Sequence, residues 1–133
     1  QDLFQSLLLR YKIKWPLHLL FPPKVLEKYN ELFRFLIHIR KIQFDLQMLW
    51  CHYREQKVGR NSEMLQFRNK LMFLIDNLQY YLQVDVLESQ FSIMLDKIKE
   101  TNDFEQIIRA HGCFQANILG LCFLLETVSG HFY

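Results

Sequence analysis

Apolar positions recur at three- and four-residue steps through most of this chain, most persistently between Pro22 and Gln56. There Val25, Tyr29, Leu32, Leu36, Ile39, Leu46, Trp50 and Tyr53 fall on one side of a helix. Phe33, Ile37, Phe44 and Met48 make a second row about a quarter turn away, and Glu27, Arg34, Lys41 and Asp45 keep a narrow polar strip opposite. A helix with two apolar rows needs cover on two flanks, so this one is predicted to be central. Its 35 residues would run roughly 50 Å at 1.5 Å per residue. A compact domain of this chain length has a radius of gyration of only about 14 Å. The pattern therefore predicts an elongated bundle, or a slice of a larger one.

Upstream, the stretch 3–15 opens on an apolar cluster and then alternates. Tyr11, Ile13 and Trp15 point one way and Arg10, Lys12 and Lys14 the other, which predicts a short extended segment, or half of a small hairpin. Pro16 ends it, and Pro22-Pro23 start the long helix where a missing N–H costs nothing. The three basic residues are either a solvated edge or a contact strip for an acidic partner. Downstream, Val58-Gly59-Arg60-Asn61-Ser62 stops the long helix. So short a loop predicts an antiparallel second helix from Ser62 or Glu63. Its apolar face is read as Met64, Phe67, Leu71, Leu74, Leu78 and Leu82; beyond Gln83 the row shifts phase to Val84, Leu87, Phe91, Met94 and Ile98. The helix either breaks around Gln83–Asp85, the favoured reading, or continues and changes partners there. Asn102, with Glu105 three residues on, has the spacing of a helix cap. The last helix puts Phe104, Ile107 or Ile108, His111, Phe114, Ile118, Leu121 and Leu125 on one face. Gly112 and Gly120 within it each cost roughly 1 kcal/mol against alanine, which predicts a close approach to a neighbouring backbone.

Composition narrows the class to all-α: 133 residues, half of them apolar, with four glycines and three prolines. This is enough chain for one core and too little for two. A net charge of +2, with basic and acidic residues interspersed, does not point to nucleic acid. Cys51, Cys113 and Cys122 are odd in number and lack paired spacing, which reads as free thiols in a reducing compartment. No Asn-x-Ser/Thr sequon occurs, in line with an intracellular chain, and the run Ile118 to Leu125 is too short to span a bilayer. Gln1 and Tyr133 look like cuts through something longer. There is no phosphate-binding glycine loop, nucleophile elbow or zinc spacing. Cys51-His52 and His111-x-Cys113 supply two ligands each where a structural zinc needs four. His111, on an apolar row, reads as a core histidine bonded to a neighbouring helix. Asp85 and Glu88, one turn apart, read as capping or ion-pairing groups before acid–base catalysts. No catalytic residue, cofactor site or metal site is expected, and the chain reads as a binding or scaffold module.

One stretch carries more than amphipathic pattern. Residues 76–91, DNLQYYLQVDVLESQF, place Tyr80-Tyr81 a few residues before Val86-Leu87-Glu88. This resembles a signature in the C-terminal domain of gamma-tubulin complex proteins. YKIKWPLHLLF (11–21), VLEKYNELFRFL (25–36) and DFEQIIRAHGCF (103–114) agree in the same order. Val84-Asp85 stands where most of the family carries Phe-Glu, which points to one particular component, and Gly112 stands where a larger residue is common. The resemblance implies part of a single gamma-tubulin-binding domain across residues 1–133, with both flanks absent. It also implies gamma-tubulin and other complex components as partners, no nucleic acid or membrane, and a role in templating microtubules. The implied location is the cytoplasm, at centrosomes, microtubule-organising centres and spindle poles. Tubulins are acidic, so the expected contacts are Arg10, Lys12, Lys14, Arg34 and Lys41, with Trp15 and Phe21 as aromatic anchors. The alternative is a generic helical adaptor that docks another protein through an amphipathic face.

Overall fold

The computed structural model describes residues 6–55 and 62–122 and is all-α, with no strand among the described residues. A 3₁₀ turn, Leu17–Leu19, leads into helix α1, Pro23–Glu55. Pro23 occupies the first helical position, and Val25 and Leu26 donate back to the Pro22 carbonyl at 2.9 and 3.2 Å. Helix α2, Ser62–Tyr80, runs into a π-helical stretch, Tyr81–Glu88, and on into α3, Ser89–Lys99. Helix α4 is Phe104–Leu121. The loop before Ser62 and the end of the last apolar row, Leu125 included, lie outside the described residues.

The expected break at Gln83–Asp85 is absent. The chain stays helical from Ser62 to Lys99 and changes phase through the π stretch instead. Ser89 donates to the carbonyl of Val84, five residues back, so the turn takes in one residue more than an α turn. That extra residue turns the apolar row toward a new neighbour. Before it, α2 lies antiparallel against α1: Gln43 bonds Asp76 at 2.9 Å, Arg68 bonds the Leu46 carbonyl at 3.0 Å, and Tyr53 meets Met64. After it, α3 lies antiparallel against α4, with Gln90 bonded to Asn117 and Phe91 edge-on to Phe114 at 6.1 Å. Leu82 and Val86 sit within the π stretch at 1% and 0% exposure and meet Leu32, Ile39, Ile118, Leu119 and Cys122 in a single core.

Away from that core the helix faces differ from the expected ones. On α2, Leu65, Arg68, Leu71, Met72, Ile75 and Leu78 turn inward, whereas Phe67 and Leu74 are exposed. A single neighbour covers only one arc of a helix, and here that arc lets Arg68 lie over the Trp50 ring at 5.5 Å. For the same reason the second row of α1 is not covered throughout: Phe33 and Ile37 are half-buried, Phe44 and Met48 exposed. On α4 the inward face is Ala110, His111, Phe114, Gln115, Ile118 and Leu119, with Phe104 and Leu121 outside. The cap of α4 is Asp103, not Asn102: its carboxylate accepts from the Glu105 backbone at 3.0 Å, and Thr101 Oγ1 accepts from the Asp103 N–H. Glu105 pairs instead with Arg109, one turn on, at 2.6 Å. Gly112 makes no close approach either, since a Cβ there would meet nothing within 4 Å.

Truncating Leu82 to alanine should cost about 2–5 kcal/mol in urea melts, and Phe67→Ala about 0.5 kcal/mol or less. Equal losses would mean the core is misplaced. Gly112→Ala removes only a helix-propensity penalty and should stabilise by up to about 1 kcal/mol; a loss would reveal a neighbour at that position.

Candidate protein-binding surface

Most of the candidate contact residues lie in the N-terminal segment and at the foot of α1; Lys41 stands near the middle of that helix. Residues 6–16 form no strand and so no half-hairpin; the Leu9 N–H is taken by the Asn30 side chain of α1 at 2.7 Å. A side-chain acceptor in place of a partner strand binds this segment along α1. The alternation predicted for it is only partly realised. Ile13 is half-buried, but Tyr11 and Trp15 stand 76% and 80% exposed. Arg10, Lys12 and Lys14 are exposed as well, so both sides of the segment meet solvent along much of its length. Arg34 follows Asn30 by four residues and Lys41 by eleven, which puts all three on one face of α1. Arg34 is exposed and Lys41 half-buried. Arg34 therefore shares the face of α1 that holds the Leu9–Asn30 bond, and Lys41 lies on that face about three turns farther on.

Phe21, the last of the expected contacts, is half-buried and belongs to the wall rather than the rim. Its ring stands edge-on to His111 of α4 at 5.2 Å between centroids. The Tyr29 hydroxyl lies 2.5 Å from His111 Nε2, and the Gln115 amide donates to the Val25 carbonyl at 2.9 Å. Gln115 is buried with its polar group satisfied. These contacts tie α1 to α4 directly behind the segment. His111 is thus the inter-helix hydrogen-bonding histidine that its place on the apolar row predicted. Leu9, Ile13, Phe21, Leu26 and Tyr29, with Arg10 and Tyr11, enclose a cavity of about 340 Å³ between segment and helix. Periodicity had no means of showing that cavity. Its one sequence trace was the set of polar residues, Asn30, His111 and Gln115, placed among apolar rows.

Burial sets the protonation of this tie. It raises the Tyr29 hydroxyl to about 12 and lowers the His111 imidazolium below its ordinary value. A neutral imidazole can accept the Tyr29 proton, and a protonated one cannot. Burial also raises the Cys122 thiol. Cys51 and Cys113 are exposed, and all three cysteines are unpaired. Among the described residues no group of three or more His, Cys, Asp or Glu side chains is placed to hold a metal ion. No described helix is long and apolar enough to cross a membrane.

The depressed His111 value has a signed consequence. The unfolded chain binds more protons than the native one below the ordinary histidine value of about 6.5. The contribution is complete above that value and is lost as pH falls through the lower folded one. Urea melts should therefore show wild type weakening from pH 7.5 to pH 5 more steeply than His111→Gln, whose amide can still accept from Tyr29. Parallel pH profiles would show that the imidazole carries no such load.

The sequence has relatives among known proteins. The chain matches the family described as gamma tubulin complex component C-terminal over residues 1–131. It is 49% identical to gamma-tubulin complex component 4 of Mus musculus and of Homo sapiens, over 88% of this chain and 18% of each relative. It is 31% identical to the component 4 homolog of Medicago truncatula, over 92% of this chain and 20% of that protein. The chain thus spans about a fifth of the length of these relatives. Tyr80 ends α2, and Tyr81 and Val86-Leu87-Glu88 lie on the π stretch that joins the two helix pairs. With the family matched from end to end of the described helices, this chain belongs to the gamma-tubulin complex component family, in its C-terminal part.

Proposed function

We infer that residues 1–133 are part of one C-terminal gamma-tubulin-binding domain. Its work is positional: it holds a partner in place and makes or breaks no bond. The observation that carries this reading is the family match over residues 1–131, whose relatives are named as gamma-tubulin complex components. The geometry at the foot of α1 supports it, because the exposed basic side chains rest on a helix pair fixed by Tyr29–His111 and Gln115–Val25. Tubulins are acidic, so Arg10, Lys12, Lys14, Arg34 and Lys41 provide attraction, and Trp15 and Phe21 provide contact area. The shifts of Tyr29, His111 and Cys122 have burial as their cause, and we read them as the packing of side chains between helices. Within a longer protein such a unit would join other complex components at microtubule-organising centres and spindle poles and help to template microtubules.

The exposed apolar side chains Phe44 and Met48 of α1 and Phe67, Phe73 and Leu74 of α2 favour a second reading, an adaptor that docks another protein's helix. Titration of the chain with gamma-tubulin separates the two. Binding that weakens roughly tenfold when Lys12 and Lys14 become glutamate is expected, since exposed charge contacts are worth about 0–1 kcal/mol each. No binding of gamma-tubulin would favour the adaptor. Binding that ignores the charge reversal would remove the basic strip.

A further inference from the structure

We propose that the cavity between the N-terminal segment and α1 receives one bulky apolar side chain from an acidic segment of a protein partner. This deepens the gamma-tubulin reading and rests on its assignment of the foot of α1 as the contact end. The cavity, about 340 Å³, is walled by Leu9, Ile13, Phe21, Leu26 and Tyr29, and its lining is overwhelmingly apolar. That volume is large enough to admit a bulky aromatic or aliphatic side chain with room to spare. Two features select the occupant. Tyr11 lines the cavity and is still 76% exposed, so it offers apolar surface beyond it, as a bound chain needs and a small molecule does not. The segment that forms one wall is also basic: Arg10 lines the cavity, Lys12 and Lys14 stand exposed on the same segment, and residues 6–21 hold no Asp or Glu. An acidic stretch is attracted to such a rim.

The wall is held from behind. Phe21 and Tyr29 both rest on His111, and the Leu9 backbone is fixed to Asn30. The cavity is therefore shaped before a partner arrives, which lowers the ordering cost of binding.

The test uses the whole chain and a fluorescein-labelled peptide, Asp-Glu-Phe-Glu-Asp, followed by anisotropy. Saturable binding is expected, weakened at least tenfold by replacing the peptide phenylalanine with alanine and reduced by raised salt. Filling the cavity from either wall, with Ile13→Trp or Leu26→Trp, should produce a similar loss while helicity is kept. Phe73→Ala, on the exposed face of α2, should leave binding unchanged. Equal affinity for the phenylalanine and alanine peptides would overturn the proposal, and that comparison needs no variant to fold. Self-association of the chain that Ile13→Trp and Leu26→Trp abolish would also overturn it, by making a second copy the occupant. Gamma-tubulin serves as a second probe. Gamma-tubulin binding untouched by either tryptophan would sink the cavity and spare the reading beneath it. Peptide binding by a chain that ignores gamma-tubulin would do the reverse.

Discussion

The packing of Leu82 and Val86 against Leu32, Ile39, Ile118 and Leu119 makes one continuous helix serve two neighbours. Residues 62–80 answer to α1, and residues 89–99 to α4. An uninterrupted α-helix would keep its apolar row on one line and satisfy one of them. The extra residue in the π turn resolves this: it rotates the downstream row while Leu82 and Val86, four apart, both stay inside. Full burial of those two side chains contributes roughly 1.5–3 kcal/mol each. That gain offsets the poorer geometry of a π turn.

From the core, order passes down to the foot of the molecule along the seam between α1 and α4. Leu32 of α1 and Ile118 of α4 belong to the buried core, and Tyr29–His111 and Gln115–Val25 are the polar contacts between the same two helices. A buried amide and a partly buried phenol are costly to leave unpaired, so these bonds fix the alignment of the two helices and not only their adhesion. The N-terminal segment depends on that alignment, because it rests on Asn30, Phe21 and Tyr29. The basic side chains it carries therefore have a stiff base, although the segment forms no regular structure of its own.

Much of this was legible in the sequence where apolar spacing and burial coincide. Leu32, Ile39, Leu82, Met94 and Ile118 fall on the apolar rows by spacing and are all buried. Spacing misled where apolar residues ring a helix that has one neighbour. Phe67 and Leu74 fit the period as well as Leu71 and Leu78, and only the position of α1 decides between them. The phase change at Gln83 was visible, but its resolution by a π turn was not, because periodicity records a shift of face without its backbone geometry. At the proposed contact end, Arg10, Lys12 and Lys14 alternate with apolar residues. The cavity behind them is assembled from residues twenty positions apart, which no local pattern links.

Hydrogen exchange of the whole chain with and without gamma-tubulin tests the central claim most directly, namely that a pre-formed helical frame offers the foot of α1 to a protein partner. The account predicts added protection confined to residues 6–34, with the amides around Leu82, Val86 and Ile118 equally slow in both states. Protection that appears instead along the outer face of α2, or a core that becomes protected only on binding, would contradict it.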